Sequence, residues 1–415
     1  MYEDYMHGFI EQICTEIGPR ESGSTQEEQA GNRIEEELKQ LGAETHQEEY
    51  ISSPTAFLGF IRYGAILLIS AIVFYWLSLL KDLGMLQITT EVSLAFMIIA
   101  AAIAIFTDIY FIFEVMRYFE IVDFMFPKKK SKNIIGTINP SEEIKNTIIF
   151  SGHHDSPYEF NIFYYLKTLG AVTIFVGYVG AIILAVVSII RIIFFLLPDW
   201  TTFFLTFGIF FLCLIPFAIV YIFFHSYKSC LGAFDNLSAV AVVLGIGKYL
   251  SENKDDPEIY PKHTRVQLVS FAGEEAGLRG SKRYVQAHSK ELKESGAILV
   301  NMDGVGKKDN IIIGKNELLI GAHHDKRMVA KLFEIAQNLK IGSVIGTLPF
   351  GATDAAAFSI NKLPATVLMA YPSKLSLPPY YHTRLDTPEV VDKEALGQAL
   401  QICLEYIKHV DNEGI

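Results

Sequence analysis

The chain has 415 residues, of which 51% are hydrophobic, and it carries a formal net charge of −11 at pH 7. This length allows one large domain or two ordinary ones. The apolar composition is unusual for a soluble enzyme and indicates membrane segments. The acidic balance argues against nucleic acid as a partner, because it implies no broad basic face.

The cysteines indicate neither a disulfide framework nor a zinc ribbon. No C-x-x-C pair occurs, so free thiols in a reducing compartment are expected. The four cysteines are Cys14, Cys213, Cys230 and Cys403. The N-terminus is acidic and lacks the basic start and apolar core of a signal peptide, so none is expected.

Residues 1–55 predict the N-terminal part of an α/β domain. Apolar residues recur at helical spacing over 4–17, and Thr25 and Glu28 have the spacing of a capping box that opens a second helix. The extended stretch from Glu44 to Ile51 predicts an edge strand.

A first transmembrane hairpin is predicted over 56–116. Tyr63 to Leu80 contains no charged residue, and the run from Val92 to about Phe113 is broken only by Asp108, so each can cross a bilayer. Asp108 and Glu114 lie toward the end of this run near Arg117, which favours an interfacial pair over an ion path.

A second transmembrane hairpin is predicted over 165–226. The runs Thr168 to Ile190 and Trp200 to Phe224 are uncharged, and the turn between them is marked by Pro198 and Asp199. The alternative is that all four helices are buried in a large soluble core. We disfavour it because uncharged runs of this length are rare in soluble helices.

The segments 117–164 and 227–415 predict the rest of the α/β domain. Short apolar runs rich in β-branched residues alternate with helical segments, which predicts a mostly parallel mixed sheet covered by helices on both faces. The predicted strands are Asn146–Phe150, Arg265–Phe271, Ala297–Met302, Asn310–Ile313 and Ala365–Ala370. Ligands of such sheets lie at the carboxyl ends of the strands.

Histidines and carboxylates cluster where these strands end. The motifs are His153-His154-Asp155-Ser156, Gly232-Ala233-Phe234-Asp235-Asn236, Glu274-Glu275, Met302-Asp303-Gly304 and Tyr381-His382-Thr383. A mixed set of this kind suits zinc or another divalent ion. Taken singly the motifs have plain alternatives: paired glutamates are usually solvated, and Asp235 could be a helix N-cap.

The order of these motifs resembles the M28 family of di-zinc peptidases, whose best-known members are aminopeptidases. The resemblance covers nearly the whole chain except the two hydrophobic hairpins. It implies a zinc-peptidase α/β/α fold with four inserted transmembrane helices, a peptide substrate and two zinc ions, with other divalent metals left open.

The resemblance also implies roles for individual residues. His153 would bind one zinc, with Asp155 as the carboxylate that orients it, and Asp235 would bridge both ions. The remaining ligands would be Glu275, Asp303 and His382.

Further roles follow from the same resemblance. Glu274 would be the general base and acid, Tyr381 a donor to the oxyanion, and Asp354 an element of the substrate pocket. The string His323-His324-Asp325 has no counterpart in the family, and we expect a loop that leads into a helix.

The hairpins decide the predicted topology. Each crosses the membrane twice, so both termini and the catalytic domain lie on one side. Basic residues are concentrated on that side, which the positive-inside rule assigns to the cytoplasm of a multi-pass cell-membrane protein. They are Arg62, Arg117, Lys128, Lys129, Lys130, Lys132, Lys167 and Lys228, against Lys81 and Arg191 at the outer turns.

Other functions remain open on the same scaffold. A carboxypeptidase, a glutaminyl cyclase or a non-catalytic membrane receptor are the alternatives to an aminopeptidase. The cyclase is disfavoured because such relatives use one zinc, and a transporter is disfavoured because the four spans contain few polar groups. The oligomeric state is left undetermined.

Overall fold

A computed structural model describes residues 1–195, 200–372 and 378–414. The chain forms two compact units. The α/β unit comprises Met1–Thr55, Phe126–Glu159 and Tyr227–Ile415, and the helical unit comprises Ala56–Met125 and Phe160–Ser226. The turn predicted at Pro198 and Asp199 lies outside the described residues.

The helices and strands are numbered in chain order. The helices are α1 (Tyr2–Glu16), α2 (Thr25–Gln40), α3 (Ala56–Gly59), α4 (Ile61–Asp82), α5 (Thr90–Tyr110), α6 (Asn161–Leu166), α7 (Thr168–Ile193), α8 (Thr201–Ile222), α9 (Ser238–Glu252), α10 (Arg279–Glu294), α11 (Lys326–Asn338), α12 (Asp354–Ile360) and α13 (Lys393–Glu413). The strands are β1 (Glu44–Ser52), β2 (Lys129–Ile138), β3 (Asn146–His153), β4 (Thr264–Phe271), β5 (Ile298–Val305), β6 (Ile311–Glu317), β7 (Ala322–His323), β8 (Ser343–Leu348) and β9 (Ala365–Ala370).

The nine strands form one mixed sheet in the order β1-β2-β4-β3-β5-β9-β6-β7, with β8 paired to β6. The central strands β4, β3, β5 and β9 are parallel. The pairs β1/β2, β2/β4, β6/β7 and β6/β9 are antiparallel, so the prediction of a mostly parallel sheet is wrong toward both edges. For β2 the reason is that only residues 139–145 connect it to β3, too few for the helical crossover that would make these two strands parallel.

Alternate residues of the strands contribute to cores on the two faces of the sheet. In β3, Ile148 and Phe150 pack into the larger core with residues of α1, α2, α9, α11 and α13. Ile149 lies in the smaller core with residues of α10 and α12. Since successive strand side chains point to opposite faces, this is an α/β/α sandwich.

The basic cluster at Lys128–Lys132 lies at the start of β2, which begins at Lys129 and which the sequence did not indicate. Its lysines face acids of the same unit: Lys130 lies 2.7 Å from Glu49, and Lys132 lies 2.7 Å from Glu28. These exposed pairs contribute little to stability. The lysines of the cluster therefore form ion pairs within the α/β unit, which their charge alone did not indicate.

The capping box at the start of α2 is one residue earlier than predicted. Ser24 is the N-cap and accepts a hydrogen bond from the backbone N–H of Glu27. The Glu27 carboxylate in turn accepts from the N–H of Gly23. Glu27 is therefore buried, whereas Glu28 is exposed.

The helical unit contains four helices long and apolar enough to cross a bilayer, spanning Ala56–Asp82, Thr90–Met116, Thr168–Ile193 and Thr201–Ile222. A fifth apolar helix, Ala233–Glu252, lies in the α/β unit. It has a mean hydropathy of 1.3, against 2.1 to 2.6 for the other four, and is 89% buried. Its apolar surface is covered by the larger core, which explains why it is hydrophobic all round.

The acids predicted as an interfacial pair have different surroundings. Glu114 is fully buried and accepts hydrogen bonds from the backbone N–H groups of Ile121 and Val122, at 2.7 and 3.2 Å. It thereby stabilises the turn that follows the π-helical segment Phe111–Met116. Asp108 lines a groove among the long helices.

The string His323-His324-Asp325 leads into α11, as predicted, but His323 belongs to the two-residue strand β7 and not to a loop. Asp325 is the N-cap and accepts hydrogen bonds from two backbone N–H groups of the first turn. His324 is buried, with its ring nitrogens 2.9 Å from Ser359 Oγ and 3.2 Å from Glu317 Oε1. The Glu317 carboxylate also accepts from the N–H and hydroxyl of Thr353, so His324 supports the entry to α12.

This arrangement predicts different effects for the two neighbouring histidines. His324→Ala should leave the buried Glu317 carboxylate short of a partner and lower the free energy of unfolding by about 1–3 kcal/mol. The exposed His323→Ala is the matched control and should change it little. Thermal unfolding of the two full-length variants checks this, and equal midpoints would contradict the structural role of His324.

Candidate metal centre

The carboxyl ends of three adjacent parallel strands bring the first site residues together. His153 is the last residue of β3, Asp303 lies near the end of β5, and β4 ends just before Glu274 and Glu275. Because β4, β3 and β5 are neighbours and parallel, these residues lie along one edge of the sheet.

Asp235 lies in a kinked turn before α9, where it and Asn236 have non-helical backbone dihedrals. Asp386 accepts hydrogen bonds from the backbone N–H groups of Phe234 (2.6 Å) and Asp235 (3.1 Å). Asn236 donates to the carbonyl of Met302 and accepts from the N–H of Gly304. The turn is therefore fixed from one side by the loop after His382 and from the other by β5.

The Asp235 carboxylate lies between two imidazoles. Its Oδ1 is 3.3 Å from Nε2 of His153, and its Oδ2 is 3.2 Å from Nε2 of His382. The same His382 nitrogen lies 3.5 Å from Oε1 of Glu275. Each oxygen of one carboxylate thus faces a different histidine.

The geometry and the donor atoms fit a metal site. One potential ligand atom each from His153, Asp235 and Glu275 lie within 4.8 Å of one another. His153 Nε2 and Glu275 Oε1 are buried and have no hydrogen-bond partner among the described residues. Buried polar atoms in proteins are normally hydrogen-bonded, so two such atoms without a partner indicate a site for a cation.

The charges of the site fit a cation as well. Burial raises the pKa of Glu275 and of Asp303 well above their usual range, and the nearby charge of Asp235 adds to both shifts. Burial also raises the pKa of Glu274, with a further contribution from Asp303. Several carboxylates crowd a dry site, and divalent cations are the groups that stabilise such a set in its ionised form.

Asp155 links His153 to the loop that carries the glutamates. Its Oδ1 lies 3.3 Å from Nδ1 of His153 and accepts from the N–H of Glu274 at 3.1 Å. Its Oδ2 accepts from the N–H of Glu275 at 3.0 Å and from the hydroxyl of Ser22 at 2.6 Å. One carboxylate therefore orients the imidazole and fixes both glutamate backbones.

Two tyrosines lie at the site, of which the sequence indicated one. Tyr381 stacks on His382 with ring centroids 4.1 Å apart. Burial raises the pKa of its phenol well above the usual range, and the charge of Asp235 adds to the shift. Tyr371, which follows β9, packs against Phe234 with ring centroids 5.4 Å apart, and burial and then the charge of Asp303 raise its pKa.

Asp354 is fully buried at the start of α12. Burial raises its pKa to about 7, while the nearby charge of His153 acts in the opposite direction. The structure therefore places Asp354 close to the site. Its part in a substrate pocket stays a prediction.

A protein-family model described as "Peptidase family M28" matches residues 219–407. Over these residues the chain is similar to peptidase family M28. The M28 segment includes Asp235, Glu274, Glu275, Asp303 and His382, whereas His153 and Asp155 precede it.

A curated relative is aminopeptidase YwaD of Bacillus subtilis (strain 168). The two proteins are 29% identical over 179 residues, which are 40% of this chain and 35% of that protein. This chain thus spans about a third of the length of the curated relative that it matches.

Solved structures share the fold over nearly the whole chain. A Zn-dependent exopeptidase from Parabacteroides distasonis has a TM-score of 0.55 at 16% identity, with 98% of this chain and 97% of that chain covered. The zinc aminopeptidase BSAP of Bacillus subtilis has a TM-score of 0.54 at 15% identity, covering 98% and 94%. A glutaminyl cyclase from Porphyromonas gingivalis has a TM-score of 0.54 at 13% identity, covering 98% of each chain.

The sequence did not indicate several residues that support this M28 site. Arg20 is fully buried and donates to the carbonyls of His154, Leu231 and Gly232, which joins two of the motifs. Asp386 holds the turn of Asp235. Asp386 follows the motif Tyr381-His382-Thr383 by three residues, so its position near the site could have been inferred from the sequence. Arg20 is a lone arginine after Gly-Pro, which gives no local sign of burial.

Glu27 is another support that the sequence missed. Its Oε1 accepts from the N–H of Gly273 at 3.0 Å, directly before Glu274. Its Oε2 accepts from the N–H of Gly23 and from the hydroxyl of Ser131. Burial raises the pKa of Glu27 to about 8. Helix α2 thereby holds the loop that carries the paired glutamates.

Replacing Glu27 should loosen this loop. In Glu27→Ala, the N–H of Gly273 loses its acceptor, and its hydrogen exchange should accelerate roughly 5- to 100-fold, the equivalent of about 1–3 kcal/mol. Glu27→Gln keeps an oxygen for this bond and should restore part of the protection. Glu28→Ala is the control, because Glu28 is exposed and pairs only at the surface with Lys132. Equal exchange at Gly273 in the Glu27→Ala and Glu28→Ala variants would contradict this role.

Proposed function

We propose that this protein is a membrane-held di-zinc peptidase, most specifically an aminopeptidase that releases N-terminal residues from peptides. The observation that carries the proposal is the Asp235 carboxylate, whose two oxygens face the Nε2 atoms of His153 and His382. A carboxylate in this position is suited to bridge two ions.

We assign the donors to two sets. Glu275 lies 3.5 Å from His382, so these residues with Asp235 would hold one zinc. His153 and Asp303, near the carboxyl ends of the adjacent parallel strands β3 and β5, would hold the second ion together with Asp235. Imidazole and carboxylate donors are usual for catalytic zinc.

Glu274 is the general base in this proposal. When bound, zinc supplies Lewis acidity that polarises the scissile carbonyl and lowers the pKa of a water molecule. Glu274 Oε2 lies 3.7 Å from Nε2 of His153, so its carboxylate faces the reacting centre. It takes a proton from the attacking water and returns it to the leaving amine.

The remaining residues orient a proposed ligand or stabilise the oxyanion. Asp155 fixes the orientation of the His153 ring. The hydroxyl of Tyr381, whose ring stacks on His382, would donate to the developing oxyanion, and Tyr371 is a second candidate donor. The kcat values of the single variants Tyr381→Phe and Tyr371→Phe would show how much each hydroxyl contributes.

The aminopeptidase assignment has one specific rival. The glutaminyl cyclase fold is shared over the same length, and a carboxypeptidase or a receptor would use the same scaffold. A complete set of donors for two ions and a base favours hydrolysis. A peptide panel with free, acetylated and glutaminyl N-termini separates the outcomes: release of the first residue, release of the last, loss of ammonia, or no reaction.

Glu274→Gln should reduce kcat roughly 100- to 10,000-fold, because a general acid and base is removed. It should retain two zinc equivalents, since Glu274 is outside the two donor sets. Glu275→Gln is the matched comparison and should lose zinc. Peptide hydrolysis and metal content of the purified full-length variants check this. An active Glu274→Gln enzyme would refute the mechanism, and a Glu275→Gln variant with full zinc would refute the donor set.

The proposed location is the cell membrane, with four spanning helices in the helical unit. Their lengths of 22 to 27 residues and their hydropathy support this. The α/β unit and both termini are proposed to be cytoplasmic. Lys129, Lys130 and Lys132 are paired to acids of their own unit, so the charge bias depends on the remaining basic residues of that side. These are Arg62, Arg117, Lys128, Lys167 and Lys228.

Sidedness is tested by two epitope tags. A tag inserted after Met85, which is 74% exposed between α4 and α5, should be cleaved by protease added to intact cells. A tag at Met1 should be protected until the cells are opened. Protection of the first tag or cleavage of the second in intact cells would overturn the proposed orientation.

A further inference from the structure

The α/β unit contains a pocket between α2 and β2 that the proposed mechanism does not use. Its volume is about 120 Å³, which is room for roughly eight to twelve water-sized groups. Polar and apolar residues of α2, β1 and β2 line it together with His154, and none of the proposed zinc ligands is among them. A small organic molecule fits this space.

His154 forms the inner end of the pocket. The residue is 1% exposed, and its Nδ1 lies 2.9 Å from Oγ of Ser270. Its Nε2 has no hydrogen-bond partner among the described residues, yet it keeps accessible surface in the pocket. Because an imidazole nitrogen in a buried place is normally hydrogen-bonded, this atom indicates a polar group of an occupant.

A glycine in α2 keeps the inner end open. A Cβ on Gly31 would lie 3.3 Å from Nε2 of His154 and 3.3 Å from Cδ1 of Ile134. Glycine inside a helix is less stable than alanine, so its presence here is explained better by the space that it leaves than by helix formation. That space leads directly to the free nitrogen of His154.

The outer part of the pocket has charges of both signs. Nζ of Lys132 lies 2.7 Å from Oε1 of Glu28, and Nζ of Lys130 lies 2.7 Å from Oε1 of Glu49. All four residues line the pocket. Two positive and two negative groups therefore surround its outer part, which suits a ligand that has one charge of each sign.

We infer that this pocket binds a free α-amino acid with a polar side chain. Its ammonium group would lie against the carboxylates of the outer part and its carboxylate against the lysines. Its side chain would pass Ile134 and form a hydrogen bond with Nε2 of His154. The three features of the pocket, namely volume, paired charges and an inner polar atom, are all met by this class of molecule.

Two other ligand classes fit less well. A divalent ion is disfavoured because, in the part of the chain that the structure describes, three clustered donors occur only at the proposed metal centre. Phosphate is disfavoured because three glutamates, Glu27, Glu28 and Glu49, would face its negative charge.

Glu27 connects this pocket to the proposed metal centre. It lines the pocket, while its Oε1 accepts a hydrogen bond from the N–H of Gly273, directly before Glu274. His154 is the chain neighbour of His153. A bound amino acid should therefore restrict the loop that carries the paired glutamates, and any effect on peptide hydrolysis rests on the proposed function.

Calorimetric titration of the full-length protein in non-ionic micelles tests the pocket, with L-asparagine as the probe. N-acetyl-L-asparagine lacks the ammonium group and L-asparaginamide lacks the carboxylate, so each should bind at least tenfold more weakly. L-Leucine has nearly the same shape without the polar end and should bind severalfold more weakly. Equal binding of all four compounds, absence of L-asparagine binding, or tighter binding of inorganic phosphate would overturn the inference.

A matched pair of glycine variants locates the bound molecule. Gly31→Ala fills the inner end and should weaken L-asparagine binding at least tenfold. Gly8→Ala is the control, because Gly8 also lies in a helix but a Cβ there meets nothing within 4 Å. Wild-type affinity in Gly31→Ala would place the amino acid elsewhere, for example at the metal centre, and would refute this pocket as its site.

Hydrogen exchange at Gly273 tests the connection to the metal centre without requiring catalysis. At an L-asparagine concentration nine times the Kd, exchange through openings that disrupt the pocket should slow about tenfold in wild type but not in Gly31→Ala. Unchanged exchange in wild type would refute the connection. A protein that shows the slowing but cleaves no peptide would refute the proposed peptidase function and leave the amino-acid site standing.

Discussion

The position of one carboxylate determines the rest of the α/β unit. Asp235 can face both His153 and His382 only if the end of β3, the turn before α9 and the loop after β9 meet at one point. Like charges must also be held close together there, because Glu275 and Asp303 are buried beside it. The fold therefore has to position groups that repel one another, and the surrounding backbone does so through many fixed hydrogen bonds.

Most of these supports are themselves carboxylates that bind backbone N–H groups. Asp155 fixes Glu274 and Glu275, Glu27 fixes Gly273, and Asp386 fixes the turn of Asp235. A carboxylate that accepts several N–H bonds gives a rigid, directional anchor, which suits a site where small displacements reduce activity. The N-terminal helices are thus part of the site, although they contribute no proposed ligand.

The helical unit also has to stabilise a buried charge, here in apolar surroundings. Arg191 is buried, pairs with Asp82 at 2.6 Å and lies over the rings of Tyr75 and Phe204. Asp108 has no such partner among the described residues. The pair of Arg191 and Asp82 joins α7 to α4.

The sequence by itself determined the ingredients of this protein. Strand ends followed by histidine or acid, and apolar runs longer than any soluble helix needs, are local patterns. They indicated the α/β layers, the donors of the proposed metal centre and four long apolar helices. The fold shared with known zinc exopeptidases agrees with the first of these.

Only the tertiary structure decided how the ingredients are arranged. Burial of Arg20 and Glu27, the second tyrosine Tyr371 and the antiparallel strand β2 all depend on residues far away in the chain. The acidic partners of the lysines of β2 likewise lie in other elements, α2 and β1. Local composition records which groups are present, but pairing and desolvation are properties of packed neighbours, and these are set by the fold.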